Sequence, residues 1–288
     1  MDTFLSAIII GAMFSAQYAL IALGFTLVFG ILGVVNFAHG SLYMLGGYLT
    51  YWGVSTFGLP YPLAVAAAVL MTAVLGAMIE MLLLHRIIDD HLSTLILTLG
   101  LSLVIVTGVS VVFGHEAPQF TFPLSGSIPV GPTFLPLDRL VVMVVSGFAI
   151  LCLYLLIFRT GYGRAVRALT IDQDVARTFG MNPRLLFAAT MALAAGLAGL
   201  AGALVTPILS LSPHAGESVL LTAFVVVILG GLGSIIGATL AALITGMIQS
   251  FAGVYIGGSL GTLLLFILVI SVLTVRPSGL FGAKTRGA

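Results

Sequence analysis

RTGYGRAVRALTIDQDVARTFGMNPR, residues 159–184, is the one long polar island in the second half of the chain. Five of the ten Lys and Arg residues fall in it, Arg159, Arg164, Arg167, Arg177 and Arg184, with Asp172 and Asp174 at its middle. The runs on either side are apolar and near the ~20 residues that a membrane-spanning helix needs. Basic loops stay on the cytoplasmic side, so the island orients what flanks it. It also has internal order: Ala, Leu, Val and Arg recur from Arg164 to Phe179 at helix-compatible spacing, and Gly180 and Pro183 stop the pattern. A short charged helical hairpin held on an inner membrane face is a place for another protein to push. The plainer reading is a solvated loop obeying the positive-inside rule.

Composition makes the membrane setting firm. The 288 residues are 60% hydrophobic and 7% charged, whereas soluble domains carry about 25% charged residues. A net charge of +1 gives no argument for nucleic acid. The single cysteine, Cys152, excludes a disulfide framework and a Cys-based metal site. MDTFLSAIII lacks the basic region of a cleavable signal, so the first apolar segment is expected to stay as a span.

Spans are expected at Phe4–Leu32, Leu63–Leu84, Leu92–Phe113, Leu140–Phe158, Leu185–Leu209 and Leu260–Val275, with a broken one at Val35–Val54. The loop from His115 to Asp138 is rich in Pro and Gly and carries no Lys or Arg, so it should face outward. Gly196, Gly199 and Gly202, three apart in AAGLAGLAGA, suit close helix packing. Val219–Ala252 must return to the side it starts from, and its 34 residues are short of the ~40 that two crossings want. A glycine elbow at Gly230–Ser234, set within the membrane, would resolve this. GVVNFAHGS is its weak counterpart in the first half, and interrupted segments in corresponding halves point to a transport site. Packing glycines in ordinary helices are the alternative. The fold class is thus all-α: a polytopic membrane protein of about eight segments, one or two of them broken, forming one transmembrane domain over residues 1–288 with the polar segment 159–185 outside the bilayer.

The polar residues within the spans are few. Asn36, His39 and Ser41 form the densest cluster. His39 either donates to a substrate or is satisfied by a nearby carbonyl. Thr94, Thr98 and Ser102 share a helix face and either line a path or bond their own backbone. Gln17 interrupts the first span. Half-helices starting near Asn36 or Ser234 could steady an anionic group without a buried arginine. The candidate pathway residues are therefore Gln17, Asn36, His39, Ser41, Thr94, Thr98, Gly230, Gly231, Gly233 and Ser234. Glu217, beside His214, stands at the outer rim, as a partner contact or as a plain solvated loop residue. No nucleotide-binding P-loop, zinc signature or nucleophile elbow is present. No acid lies at mid-span, since Glu80 is close to the inner end of its helix, and this lowers the case for an ion-coupled carrier. An intramembrane enzyme would need His39 and Ser41 as a dyad, but i, i+2 spacing puts them on different faces of a helix.

Three motifs, in order, resemble the membrane permeases of branched-chain amino-acid type ABC importers: YALIALGFTLVFGILGVVNFAHGSLYMLGGY (18–48), GRAVRALTIDQDVARTFGMNPRLLFAATMALAAGLAGLAGAL (163–204) and LGGLGSIIGATLAALITGMIQS (229–250), with RPSGLFG (276–282) as a familiar ending. The first is more similar to the shorter of the two permease partners. The resemblance implies a subunit of the bacterial cytoplasmic membrane that does no chemistry itself and carries no cofactor, ATP being bound by two partner ATPase subunits. It further implies a second permease, related or identical, and an extracytoplasmic solute-binding protein. It places ATPase coupling on Arg164, Arg167, Asp172, Ala176, Gly180 and Asn182. Substrates of the family include urea, short amides and other amino acids beside the branched-chain ones.

Overall fold

The computed structural model describes residues 2–88, 90–114, 118, 120, 122, 124, 126–130 and 133–282. Lys284, Arg286, much of the loop between residues 115 and 125, and the side chain of Asp174 lie outside the described residues. The helices are α1 (Asp2–Leu32), α2 (His39–Ser55), α3 (Tyr61–Leu82), α4 (His91–Phe113), α5 (Leu137–Arg159), α6 (Gly161–Ile171), α7 (Gln173–Thr178), α8 (Pro183–Leu209), α9 (Ala215–Gly230), α10 (Ile235–Tyr255) and α11 (Gly258–Val275). The expected irregular outer loop contains a small antiparallel hairpin, Ser127–Val130 with Thr133–Pro136. Six helices, α1, α3, α4, α5, α8 and α10, are long and apolar enough to cross a membrane, and α9 and Leu260–Val275 are shorter apolar helices. The chain is the polytopic all-helical membrane protein that its composition predicts.

Burial sorts the spans into inner and outer. The most apolar windows of α1 and α8 are 61% buried, while those of α4 and α5 are 17% and 22% buried. The first pair therefore forms the centre and the second pair faces lipid. α1 lies along α10, and α8 is held between α2 and α3. The expected packing role of the α8 glycines holds: a Cβ on Gly199 would sit 2.2 Å from Thr72 Oγ1 of α3, and one on Gly202 would sit 1.8 Å from the Tyr43 carbonyl of α2. Without side chains at these points the backbones approach closely enough for dispersion to hold them, which matters where no hydrophobic force acts between helices.

The molecule has two distinct ends. Ser250 Oγ donates to the Ala7 carbonyl at 2.6 Å, and Gly30 faces Gly233 across α1 and the start of α10. α1 and α10 are therefore antiparallel, with the last turns of α1 beside the glycine elbow. Around that elbow gather α6, α7, the 3-10 turn Leu84–Arg86 and the tail after α11. Arg86, Arg159, Arg164, Arg167, Arg177, Arg184 and Arg276 belong to these elements. Among the described residues Arg139 alone, at the start of α5, stands at the opposite end.

Candidate functional site

The first break in a span runs from Gly33 to Ala38. Gly33 takes φ +71°, a left-handed conformation that ends α1, and α2 begins at His39. Asn36 organises the gap: its Oδ1 accepts from Ala38 N at 3.0 Å and its carbonyl accepts from His39 N at 3.2 Å. Ser41 Oγ donates to the Ala38 carbonyl at 2.8 Å. His39 is completely buried, and its Nε2 meets the Ile21 carbonyl of α1 at 3.1 Å. A carbonyl can only accept, so Nε2 carries the proton and the partnerless Nδ1 is a lone pair. Asn36, Ala38 and the start of α2 are thus buried and closed by their own side chains, as irregular backbone must be at depth, while Gly33, at the end of α1, is exposed. Of the two readings of His39 the geometry gives the carbonyl partner.

The second break does form at Gly230–Ser234, but at a different depth from that expected. Gly231 and Gly233 take φ +101° and +81°, and Ser234 Oγ accepts from Gly237 N at 3.1 Å to start α10. The elbow sits at the basic end of the bundle rather than midway. The reason is length: helix extends back to Ala215 and on to Tyr255, so α9 with 16 residues and α10 with 21 rise ~24 and ~32 Å at 1.5 Å per residue. The tail after α11 clamps the elbow, with Leu280 N donating to Leu229 O at 2.9 Å and Phe281 N to Gly230 O at 3.0 Å. A cavity of 270 Å³ opens beside it, lined by Thr26 and Gly30 of α1, Phe158 of α5, Arg167 and Thr170 of α6, and Ser234. The last turns of α1, just before the first break, therefore meet the second break through Gly30 and Gly233, while Asn36, His39 and Ser41 are not among that cavity's lining residues.

Thr94 and Thr98 are buried and bond their own helix, Thr94 Oγ1 to the His91 carbonyl at 2.9 Å and Thr98 Oγ1 to the Leu95 carbonyl at 3.1 Å. Gln17 is placed differently. It is 3% exposed, its Oε1 has no hydrogen-bond partner, and it lines a pit of 130 Å³ between α1, the end of α8 and the first turns of α9.

The polar island folds as two helices, α6 and α7, bound to the bundle by specific contacts. Thr160 Oγ1 caps α6 through Gly163 N. Arg167 donates to the Ile157 carbonyl and lies 5.6 Å over the Phe158 ring, joining α6 to α5. Tyr162 and Thr190 share a hydrogen bond of 2.8 Å, joining α6 to α8. Burial pushes the Tyr162 phenol upward in pKa, opposed by its bond to Thr190. Asp172 Oδ1 caps α7 through Val175 N at 3.0 Å, Gly180 turns the chain at φ +78°, Asn182 Oδ1 caps α8 through Arg184 N at 3.1 Å, and Ala176 is buried. Arg164 lies on α6 with its Nη2 near Gly161. Most of the six coupling candidates thus shape and anchor the island. Among the exposed polar side chains the island also presents three large apolar ones: Ile171, Val175 and Phe179 are 86%, 51% and 78% exposed. Sequence reading passed over these residues, which close α6, lie in α7 and follow it; the signal was large apolar side chains inside a polar island.

A second feature was underread. Glu80 of α3 is fully buried, with both carboxylate oxygens lacking hydrogen bonds and His85 Nδ1 at 3.8 Å. Arg184 Nε donates to His85 Nε2, which leaves the proton of His85 on the nitrogen that faces Glu80. A buried acid in α3 is thereby linked to the first turn of α8, where the polar island ends. Among the described residues no cluster of three or more metal-binding side chains occurs.

Comparison with known proteins fits this arrangement. A family profile described as the permease component of the branched-chain amino acid transport system matches residues 7–273. The high-affinity branched-chain amino acid permease protein LivH of Escherichia coli K12 is 30% identical over 97% of this chain and 96% of its own. Its counterpart BraD of Pseudomonas aeruginosa is also 30% identical over the same shares. The ribose import permease RbsC of Escherichia coli K12 is 28% identical over 81% of this chain and 73% of its own. No solved structure matches the chain.

Proposed function

The chain belongs to the family of branched-chain amino acid transport permease components, and from that premise we propose that it is a transmembrane subunit of an ABC importer in the bacterial cytoplasmic membrane. It carries branched-chain or closely related amino acids inward while partner subunits hydrolyse ATP. The observation that carries this reading is likeness along nearly the whole chain to permeases named for those substrates. The ribose permease matches a smaller share of both chains, so the amino-acid reading is favoured.

In this reading α6 and α7 receive the stroke. Their exposed apolar ridge of Ile171, Val175 and Phe179 is costly in water and fits a groove on an ATPase subunit. Arg167, Tyr162 and the Glu80–His85–Arg184 chain would pass movement to α5, α8 and α3. The helices then rock between states open to either side, the glycine elbow serving as the joint beside the basic end. Gln17, Asn36, His39, Ser41, Thr94 and Thr98 are assigned by this reading to the pathway or to its supporting wall; only Gln17 of these lines a described cavity. A second permease, two ATPase subunits and a solute-binding protein complete the machine.

The test is uptake of radiolabelled leucine into proteoliposomes that hold this chain with its genomic-neighbour ATPases, second permease and binding protein. Uptake should require ATP and every partner. Concentrative uptake by the chain alone on an ion gradient would refute the importer reading.

A further inference from the structure

Resting on the permease reading above, we propose that the pit floored by Gln17 receives the ammonium group of an amino acid as it crosses the subunit. The polar lining of the pit is Gln17, Tyr18, Ser218 and Thr222; each offers an acceptor oxygen, and the Tyr18 hydroxyl and the Gln17 amide can also donate. Gln17 Oε1 is buried and lacks a partner. Ser218 Oγ donates its proton to the Ala215 carbonyl at 3.3 Å and Thr222 Oγ1 donates to the Ser218 carbonyl at 3.0 Å. Both hydroxyl oxygens are left with lone pairs to offer. With the Tyr18 hydroxyl these acceptors on one small cavity are enough for the three N–H donors of an ammonium. Ile21 and Val219 add apolar wall beside them.

No charged side chain lines the pit. Neutral acceptors can hold a cationic group without an ion pair, so binding is weak enough to release, as a pathway site requires. The size agrees: with ~10–15 Å³ needed for each water-sized occupant, 130 Å³ admits a group as large as a small amino acid rather than one ion. Polar side chains within membrane-spanning helices face a bundle interior or a wet cavity rather than lipid. This flank of α1 and α9 is therefore water-filled or faces the second permease in the assembled importer.

The experiment uses the complete importer in right-side-out vesicles, with Thr222→Cys made in a Cys152→Ser background and Ser218→Cys at the rim in parallel. A charged, water-soluble thiosulfonate should modify both positions. Leucine and isopentylamine, which carry the ammonium, should slow the reaction about tenfold at ~10 times their half-saturating concentration, as simple occupancy requires. Isocaproate, which keeps the carboxylate and lacks the ammonium, should not. Gln17→Leu should abolish the protection. Three outcomes overturn the proposal: no modification at either position, modification that leucine leaves unchanged, or protection by isocaproate as strong as by isopentylamine. Failure of the parent importer to take up leucine at all would instead refute the permease reading, which separates the two.

Discussion

Gly40 and Glu80 test opposite kinds of constraint on a single side chain. Gly40, in the first turn of α2, faces Gly216 of α9 so closely that an added Cβ would lie 2.3 Å from the Gly216 carbonyl oxygen. Backbone cannot swing aside as a flexible side chain can, so Gly40→Ala should lose at least the ~1–3 kcal/mol typical of overpacking. Gly147 of α5 has open space around its Cβ position, and Gly147→Ala should leave thermal unfolding in detergent unchanged or slightly raised. Equal losses in the two variants would mean that the α2–α9 approach is looser than described. Glu80 is the reverse case, a buried acid with unbonded oxygens that burdens the fold. A buried carboxylate without hydrogen bonds costs more than a neutral amide of the same shape in the same place. Glu80→Gln should therefore keep or raise the unfolding temperature while lowering ATP-driven uptake severalfold, because the link through His85 to Arg184 weakens. A fall in stability with normal uptake would make Glu80 a packing residue and nothing more.

At the scale of elements, the glycine elbow and the polar island divide what the sequence could and could not tell. The elbow's place in the chain was legible, because GGLGS interrupts an apolar run. Its depth was not: that depends on how far α9 and α10 extend, and on a tail whose partner residues lie about fifty positions away in sequence, Leu280 on Leu229. The same holds for the gap before α2, where the polar cluster of Asn36, His39 and Ser41 announced a break but only tertiary contacts show that it is sealed. Gly231, at φ +101° with a Cβ position 2.3 Å from Gly282 N, is where elbow and tail touch. Gly231→Ala is strained twice over, and ending the chain after Arg276 removes the clamp. Both changes should raise proteolytic cutting near residue 231 without preventing membrane insertion; resistance equal to the parent would show that the tail carries no weight. For the island, charge drew attention to arginines and Asp172; Arg167 joins the island to α5 and Asp172 caps α7, while the apolar side chains between them went unread. The exposed ridge predicts the docking contact instead. Phe179→Ala with Val175→Ala should weaken co-purification of the ATPase by about tenfold or more, the ~1.4 kcal/mol or greater expected of an aromatic anchor, while stability stays within about 0.5 kcal/mol because the residues are exposed. Undiminished co-purification would move the contact elsewhere.

For the whole molecule the decisive quantity is the side on which α1 begins, which the sequence left open because Asp2 is the only charge near the first residues and acids steer insertion weakly. The fold removes the ambiguity. α1 runs antiparallel to α10, as the Ser250–Ala7 bond at one end and the Gly30–Gly233 approach at the other require. The second of these ends also holds α6, α7, the Leu84–Arg86 turn and the tail. Seven arginines, Arg86, Arg159, Arg164, Arg167, Arg177, Arg184 and Arg276, belong to that end, against Arg139 at the other among the described residues. The positive-inside rule counts Lys and Arg near span ends in short loops, and this asymmetry places the arginine-rich end in the cytoplasm. The start of α1 then lies outside and the end of α11 inside. A reporter active only outside the membrane should work when fused ahead of Asp2 and fail after Gly282, and a reporter that folds only in the cytoplasm should show the converse. Cytoplasmic signal from both fusions would mean that α1 does not cross.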